Sequence, residues 1–567
     1  VTGGPRRRVT LSEHAYAAAL AVLALAGAVA PERPLPDVVP WSGPFPVHRL
    51  GEGAAVPVVR AHESLDLEVA VAAPRGDPYD AAAVATFEDG AGGVYRVEAF
   101  YAGGESGRAL YRFRFTPPGP GEWRFATSSD VPGLDGLTGT VVAEPAVLAG
   151  PMRGSDGRFL LTRPDGSLAA TTYVVYSRPD GALDELGELP RDEAQLAAAL
   201  QGYVDEAARL GFGALHVAVN NEWFGLGTTR YDLLGSTRPD PRTFRVLETL
   251  VALAHRAGLY VHVWMWGDES RRHSPLGLPA DPTVPGDTGG VTGAAFDRLQ
   301  RYLAARLGPL PNWTASFGFD LHEWASEEDV RAWARRLDEL LPLPHLLAAV
   351  EEGSGARAFD LGEEKLSLVS RDLDEARFGD DPYGTAVLEL ARAGGRPLLL
   401  ESQLYATRGG GWDGDGLRRT LWRLAVAGGV GSVWRVDEGL VDAEQLRTFA
   451  RSGREACPWA APRGACRAAS SRSWRRTGAA ASSTPRTPAP CRSPRCPPAP
   501  GPWPSTRGPP TPRSRSPRAA RPGRRPASPT GRSASPCREP PVARQPRRRR
   551  RLTTASSGRP SRAAAPA

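Results

Sequence analysis

Two acidic positions, each following an apolar run, carry the strongest chemical signal in the chain. The first run, Thr314 to Phe319 (TASFGF), reads as a buried strand and is followed by Asp320, His322 and Glu323. A helical stretch, SEEDVRAWARRLDELL, comes directly after. The second run, RPLLLES at Arg396 to Ser402, ends in Glu401. A strand that gives way to acids just before a helix is how a (β/α)8 barrel presents reactive groups at its C-terminal rim. Two carboxyl groups from separate strand ends suit glycoside hydrolysis, where one protonates the leaving oxygen and the other attacks or activates water.

A barrel must exist for those acids to meet, and the chain from about residue 150 has its pattern. Apolar runs alternate with amphipathic ones, the signature of repeated βαβ units. The strands read as LAATTYVVYS, ALHVAVNNEW, LYVHVWMWGDES, TASFGF, HLLAAV, LSLVSRD, RPLLLES and GSVWRVDEG. The intervening helices include RDEAQLAAALQGYVDEAARLGF, PRTFRVLETLVALAHRAG and GAAFDRLQRYLAARLG, whose apolar spacing is helical. Eight units in about 300 residues match the (β/α)8 barrel. The second strand then ends in Asn220, Asn221, Glu222 and Trp223, and the third in His262, Trp264, Trp266, Gly267 and Asp268. The eighth ends in Trp434, Arg435 and Asp437. Indoles stack on pyranose faces, and amides and imidazoles bond hydroxyls, so this rim suits a sugar. Asn220, Asn221, Trp223, His262, Trp266, Asp268, His322 and Trp434 are the candidate substrate-binding residues. Taken singly they have plainer readings: Glu222 or Asp268 as a loop-fixing acid, Trp264 as barrel core.

Residues 40–148 have a different texture. SLDLEVAVAA, AVATFED, VYRVEAFYA, ALYRFRFTP, GEWRFATSS and TGTVVAEP alternate with period two between Gly/Pro/Asp clusters, as in a β-sandwich of the immunoglobulin-like kind. Tyr95, Tyr101, Tyr111 and Phe113 could line a sugar platform, but aromatics alternating along strands more simply form a core. The domain reads as a scaffold or substrate-guiding module.

GFDLHEW, RPLLLES and AGGVGSVW, with HVAVNNEWFG and VHVWMWGDES before them, resemble the apiosidase-like glycoside hydrolases over roughly residues 40–450. The resemblance implies a clan-A-type barrel behind an immunoglobulin-like domain, acting on an oligo- or polysaccharide with retention of configuration. It places the nucleophile at Glu401 and the acid/base at Asp320, with Glu323 as the alternative. Trp434 corresponds to the clan's sugar-platform tryptophan. The match is imperfect. Phe319 stands where the family pattern has a second glycine, Trp313 lies further upstream than that pattern asks, and the clan's Asn-Glu pair is missing from the fourth strand. Retention calls for carboxyls ~5 Å apart and a covalent glycosyl intermediate. The acid would need a raised pKa, which the apolar SFGF run and Trp324 could provide by desolvation. His262 or His322 would hold a 2-hydroxyl or orient an acid. No cofactor and no metal are required, and no cluster has metal-ligand spacing. A metal-dependent hydrolase barrel would want an H-x-H strand, but Trp264 stands at the second histidine's place. A barrel that binds carbohydrate without cleaving it is the competing reading.

The two ends are compositionally apart. From Cys457 onward there are 25 arginines and one acid, Glu539, whereas residues 1–456 hold 45 basic and 62 acidic residues, a formal −17. The acidic body argues against a nucleic-acid surface on the folded part. All five cysteines (Cys457, Cys466, Cys491, Cys496 and Cys537) lie in the tail, so neither disulfides nor thiolates hold the body together. With few large aliphatics, residues 456–567 read as disordered. Lys365 is the one lysine in the chain; an Arg/Pro/Ser/Ala tail in so GC-rich a coding sequence reads as a frame-slip product. A basic arm centred on Arg547–Arg551 is the alternative. Residues 1–39 read as a candidate signal peptide and linker: Arg6–Arg8, the apolar run Ala15–Ala30 and an A-x-A close before Pro31. That run is too short for a stable membrane span. Against export stand Glu13 and His14, with an Ala-rich amphipathic helix or mistranslated upstream sequence as the alternatives. Export would make the protein extracellular or periplasmic, and its absence cytoplasmic. Residues 150–455 are the expected barrel; oligomeric state is left open.

Overall fold

The structure is a computed structural model that describes residues 43–51, 55–72, 74, 76–105, 107–171, 174–177, 189–190, 192–219, 222–224, 237–266, 275–318, 321–352, 365–372, 381–407, 410–411, 414–436 and 444–449. Of these, 105, 322–323, 350–352, 372, 401–407, 410–411 and 434–436 are described by backbone alone. All belong to one compact unit.

The N-terminal domain is an eight-stranded sheet: β1 (Val47–Arg49), β2 (Val58–Arg60), β3 (Leu65–Ala72), β4 (Ala83–Asp89), β5 (Val94–Glu105), β6 (Arg108–Phe115), β7 (Gly121–Ser129) and β8 (Thr138–Glu144), in the order β1-β3-β6-β5-β4-β7-β8-β2. The long β5 pairs with β4 through residues 94–98 and with β6 from Ala99 onward. One strand therefore serves both halves of the sheet, and side chains from both halves share a single core. Phe87 of β4 stacks on Phe115 of β6 with ring centroids 3.8 Å apart. Tyr111 and Phe113 are fully buried there, and Tyr95 and Tyr101 pack against it. All four aromatics thus belong to the core rather than to a sugar platform. The six alternating runs each form a strand, whereas β1 and β2 were too short to leave a periodic signal.

Next comes a hairpin-like sheet of β9 (Met152–Ser155), β10 (Arg158–Thr162) and β11 (Leu168–Thr171), paired antiparallel in the order β11-β10-β9. The expected first barrel strand, LAATTYVVYS, is divided: its first half is β11, and only Val175–Tyr176 (β12) joins the barrel. The barrel continues through β13 (Ala214–Ala218), β14 (Tyr260–Trp264), β15 (Trp313–Ser316), β16 (Leu347–Ala348), β17 (Val350–Glu352), β18 (Val369–Asp372), β19 (Leu398–Thr407) and β21 (Val430–Val436), with β20 (Gly410–Gly411) hooked antiparallel onto β19. Parallel pairing runs from β12 through β13, β14 and β15 to β16, and in the other direction through β21, β19 and β18 to β17. Since β16 and β17 are two halves of one fifth strand interrupted at Ala349, the ring is closed: a (β/α)8 barrel.

The helices form where capping and periodicity agree. In α1 (Glu193–Leu210), Leu196, Leu200, Tyr203, Val204 and Ala207 are buried on one face, and the Asp192 side chain accepts the Gln195 N–H. Its stop, Gly211, has φ +86°, and a Cβ there would lie 2.8 Å from Arg447 Cα. Only glycine meets both demands. Helices α2 (Pro241–Arg256), α3 (Ala294–Arg306), α4 (Leu321–Trp324), α5 (Glu327–Leu340), α6 (Pro382–Arg392) and α7 (Gly414–Ala427) follow. Asp240 and Pro241 start α2, Ser326 and Asp329 close a capping box on α5, and Asp381 and Pro382 start α6. No described helix is long and apolar enough to cross a membrane.

The N-terminal domain docks on the outer faces of α2 and α3 through a buried ionic chain. Arg114 of β6 forks onto Asp66 of β3 at 2.8 and 2.9 Å and reaches Glu248 of α2 at 2.7 Å. Glu248 then accepts two bonds from Arg306 of α3, at 2.6 and 2.8 Å. Burial works to raise the Glu248 carboxyl, but Arg114 and Arg306 outweigh it and hold it below the usual carboxylate value. Burial likewise works against the charge on Arg306, and Glu248 outweighs it. Around this chain, the Tyr79 ring packs on both Tyr101 of the sheet domain and Tyr302 of α3, and Tyr302 donates to the Tyr101 carbonyl at 2.9 Å.

Candidate functional site

The barrel interior is layered. At the N-terminal end, Val175, Ala214, Tyr260, Leu346, Ala348, Leu368, Leu399 and Val430 form an apolar floor, closed from below by Met152 and Phe159 of the small sheet. Strand pairing fixes what lies above. His216, His262 and Thr314 stand abreast on β13, β14 and β15, and Ala218, Trp264 and Ser316 form the next row. Ser177, Ser370 and Ser432 add buried hydroxyls from the neighbouring strands, and none of these polar side chains is more than 2% exposed. His262 Nδ1 is 2.8 Å from Thr314 Oγ1, and His216 Nδ1 is 3.5 Å from Ser177 Oγ. The edge of one ring meets the face of the other between His216 and Trp264, with centroids 4.4 Å apart. Ser316 Oγ and Ser370 Oγ have no hydrogen-bond partner among the described residues. This layer offers hydroxyl and imidazole groups, suited to bonding neutral hydroxyls, on the side of the floor that leads to the rim.

The sequence candidates distribute unevenly over this frame. His262 lies in the polar layer. Trp264, whose plainer reading was barrel core, is buried in the interior row. Glu401 falls within β19, two residues beyond Leu399, and β19 runs on to Thr407. Glu401 is therefore inside its strand, not at the end expected from RPLLLES, because the pairing with β21 resumes after an irregularity between Leu400 and Leu404. Trp434 is within β21, and His322 and Glu323 are within α4. The fourth strand stops at Ser316, short of the expected Phe319. Two residues beyond the strand, Gly318 makes a close approach: a Cβ there would sit 2.7 Å from the Trp266 carbonyl oxygen and 3.0 Å from Leu321 Cδ2. The chain passes too close to the third strand's exit for any larger residue. Asn220, Asn221, Asp268 and Asp320 lie outside the described residues.

Two of the candidate sugar-binding tryptophans are placed differently from expectation. Trp223 and Trp266 are 1% and 2% exposed and belong to the core between strands and helices. The Trp223 indole donates to the Met265 carbonyl at 2.9 Å, linking the exits of the second and third strands. Both indoles are thus packed inside the protein rather than presented at its surface. His216, Ser177, Ser370 and Ser432 went unnoticed in the sequence. Their signal was a single polar residue inside an otherwise apolar parallel strand, as His216 between Leu215 and Val217.

A family model described as a domain of unknown function, DUF5060, matches residues 58–130, the stretch from β2 through β7. No curated protein matches the chain. Among solved structures, a candidate glycoside hydrolase from Bacteroides vulgatus ATCC 8482 is similar at 20% identity, covering 68% of this chain and 74% of that one, with a TM-score of 0.49. A glycoside hydrolase family 5 structure from the same organism is similar at 14% identity over 51% and 62% of the two chains, with a TM-score of 0.36. A β-mannanase from the blue mussel Mytilus edulis is similar at 10% identity over 54% and 97%, also with a TM-score of 0.36. The barrel rests on the strand pairing above and not on these likenesses.

Proposed function

We propose that the protein is a glycoside hydrolase acting on a plant or microbial oligo- or polysaccharide through two carboxylates, with retention of configuration. The observation that supports this most is the closed parallel barrel. It turns the C-terminal ends of the fourth and seventh strands, which the sequence follows with Asp320 and Glu323 or fills with Glu401, toward one rim. In this reading Glu401 attacks the anomeric carbon and the leaving oxygen takes a proton from Asp320 or, alternatively, Glu323. Water then hydrolyses the glycosyl ester, with the same acid serving as base. His262, in the polar layer beneath, bonds substrate hydroxyls together with Asn220, Asn221, Asp268 and His322, and Trp434 supplies the stacking surface. Trp223 and Trp266 keep the rim in register. The sheet domain is read as an immunoglobulin-like scaffold, and the apolar run before Pro31 as an export signal.

Hydrolysis of a panel of aryl glycosides and polysaccharides by the protein and its Glu401→Gln variant tests the reading. A covalent nucleophile predicts a fall of at least ~10³-fold in kcat/KM. Unchanged activity would discard Glu401 and the mechanism built on it. Asp320→Ala and Glu323→Ala then separate the two acids. The variant lacking the true acid keeps turnover on substrates with acidic phenol leaving groups, which need no protonation, and loses it on alkyl glycosides. Sugar binding that survives in a folded but inactive parent would instead favour the noncatalytic reading.

A further inference from the structure

We infer that Asp80 of the N-terminal domain is a positioning residue for the barrel's substrate site, acting through Arg298; this rests on the glycosidase reading of that rim. Arg298 lies on α3 and is only 2% exposed. Its guanidinium is shared among three separate segments. Nε and Nη2 fork onto the two carboxylate oxygens of Asp80, at 2.6 and 2.7 Å. Nη2 also reaches Asp281 Oδ2 at 2.9 Å, and Nη1 donates to the Thr237 carbonyl at 2.6 Å. Asp80 closes the sheet domain's 3-10 turn, Pro78–Asp80. Thr237 is on the segment that returns from the second strand to α2, and Asp281 on the one that returns from the third strand to α3. These segments carry Asn220, Asn221 and Asp268 at their other ends.

The surrounding bonds transmit the position. Asp281 holds the Thr283 N–H and hydroxyl, and its own N–H is taken by Asp287. Asp287 in turn accepts the Ala294 N–H at the start of α3. On the neighbouring segment the Asp240 N–H bonds the Trp223 carbonyl at 2.7 Å, pinning the outgoing and returning chains together. Arg238, next to Thr237, donates to Asp77 of the sheet domain at 2.5 Å. A planar fork with every arm engaged fixes direction as well as distance, so the sheet domain sets where both segments rejoin the helix layer.

Asp80 is the arm to remove, because its side chain is 42% exposed and Arg298 keeps Asp281 and the Thr237 carbonyl without it. Glu98→Ala is the control. It breaks the Glu98–Arg301 bridge between β5 and the same helix α3, and Arg301 makes no described bond to either segment. Steady-state kinetics and hydrogen exchange are measured on the whole protein and on Asp80→Ala and Glu98→Ala. The expected result is a KM raised about five-fold or more by Asp80→Ala with kcat changed less than about two-fold, and neither changed by Glu98→Ala. Exchange at 237–240 and 275–293 should quicken in Asp80→Ala alone. An unchanged KM, or an equal rise in both variants, overturns the inference. Should the parent hydrolyse no glycoside, the glycosidase reading fails by itself. Exchange then decides the positioning role: unchanged rates at those two segments overturn it.

Discussion

The interface between the sheet domain and the barrel buries full charges, whereas the barrel interior, among the described residues, buries hydroxyls and imidazoles. In the interface, Asp66, Arg114, Glu248 and Arg306 lie at most 4% exposed and satisfy one another in an unbroken chain. In the barrel, Ser177, His216, His262, Thr314, Ser316, Ser370 and Ser432 are equally buried, and the described bonds include the pairs His262 with Thr314 and His216 with Ser177. The first arrangement has one geometry, since any rotation of the domain would strand a charge away from water. The second leaves bonding capacity at Ser316 and Ser370 among the described residues, as a surface that receives neutral hydroxyls requires. Buried charge here fixes orientation; buried neutral polarity lies beneath the place where chemistry is proposed.

Breaking the interface should give the largest effect. Glu248→Gln leaves Arg114 and Arg306 facing each other without their shared carboxylate. The cost of stranding buried charge is about 3–5 kcal/mol, read as a lower urea midpoint. A loss below about 1 kcal/mol would mean that water or a rearranged Asp66 takes over, and the contrast between the two regions would weaken.

Acid should act next, through two buried histidines outside both networks. His255, bonded to the Ala149 carbonyl between the domains, and His345, stacked on Trp313, are each driven by burial from 6.5 down to about 4. The unfolded chain takes up these protons as pH falls below 6.5, while the folded chain resists until about 4. Stability is therefore complete above pH 6.5 and falls between 6.5 and 4, with a slope of about 1.4 kcal/mol per pH unit for each histidine. Denaturant midpoints from pH 7 to 4 measure it, and His345→Gln should shallow the slope. A flat profile would show that both rings charge freely in the folded state.

Within the barrel, Thr314→Val removes the hydroxyl beside His262 Nδ1 at nearly constant volume. Loss of one neutral hydrogen bond costs about 1 kcal/mol, well below the interface substitution. A cost matching Glu248→Gln would show that the interior is as tightly coupled as the ionic chain.

Much of this architecture could be read from one sequence because burial imposes periods. A parallel strand covered on both faces is apolar over most of its length, and a helix beside it must repeat its apolar face every three to four residues. The helices from Glu193, Pro241, Ala294, Glu327, Pro382 and Gly414 accordingly lie within or beside the periodic runs, with Asp192, Asp240, Ser326 and Asp381 marking four of the starts. Both halves of the fifth strand were legible only as HLLAAV, and the break at Ala349 was not. Trp223 and Trp266 show the limit most clearly. An indole next to acids at a strand exit has the same sequence signature whether it stacks on a sugar or props the next strand. The difference is which side of the sheet it faces, and pairing with neighbours decides that.

The sequence by itself determined the succession of elements, the separation of a sheet domain from a βα-repeat domain, and the acidic positions near the fourth and seventh strands. Those follow from local rules: alternation, capping and turn chemistry, each acting over a few residues. Tertiary structure alone decided that Arg114 joins Asp66 to Glu248 across 134 residues of chain, that Gly318 must be glycine beside Trp266, and that His216 shares a layer with His262. Such facts depend on which surfaces meet once the ring closes. No local rule encodes them, because the free energy of burying a charge, a carbonyl or an imidazole is set by the partner it finds.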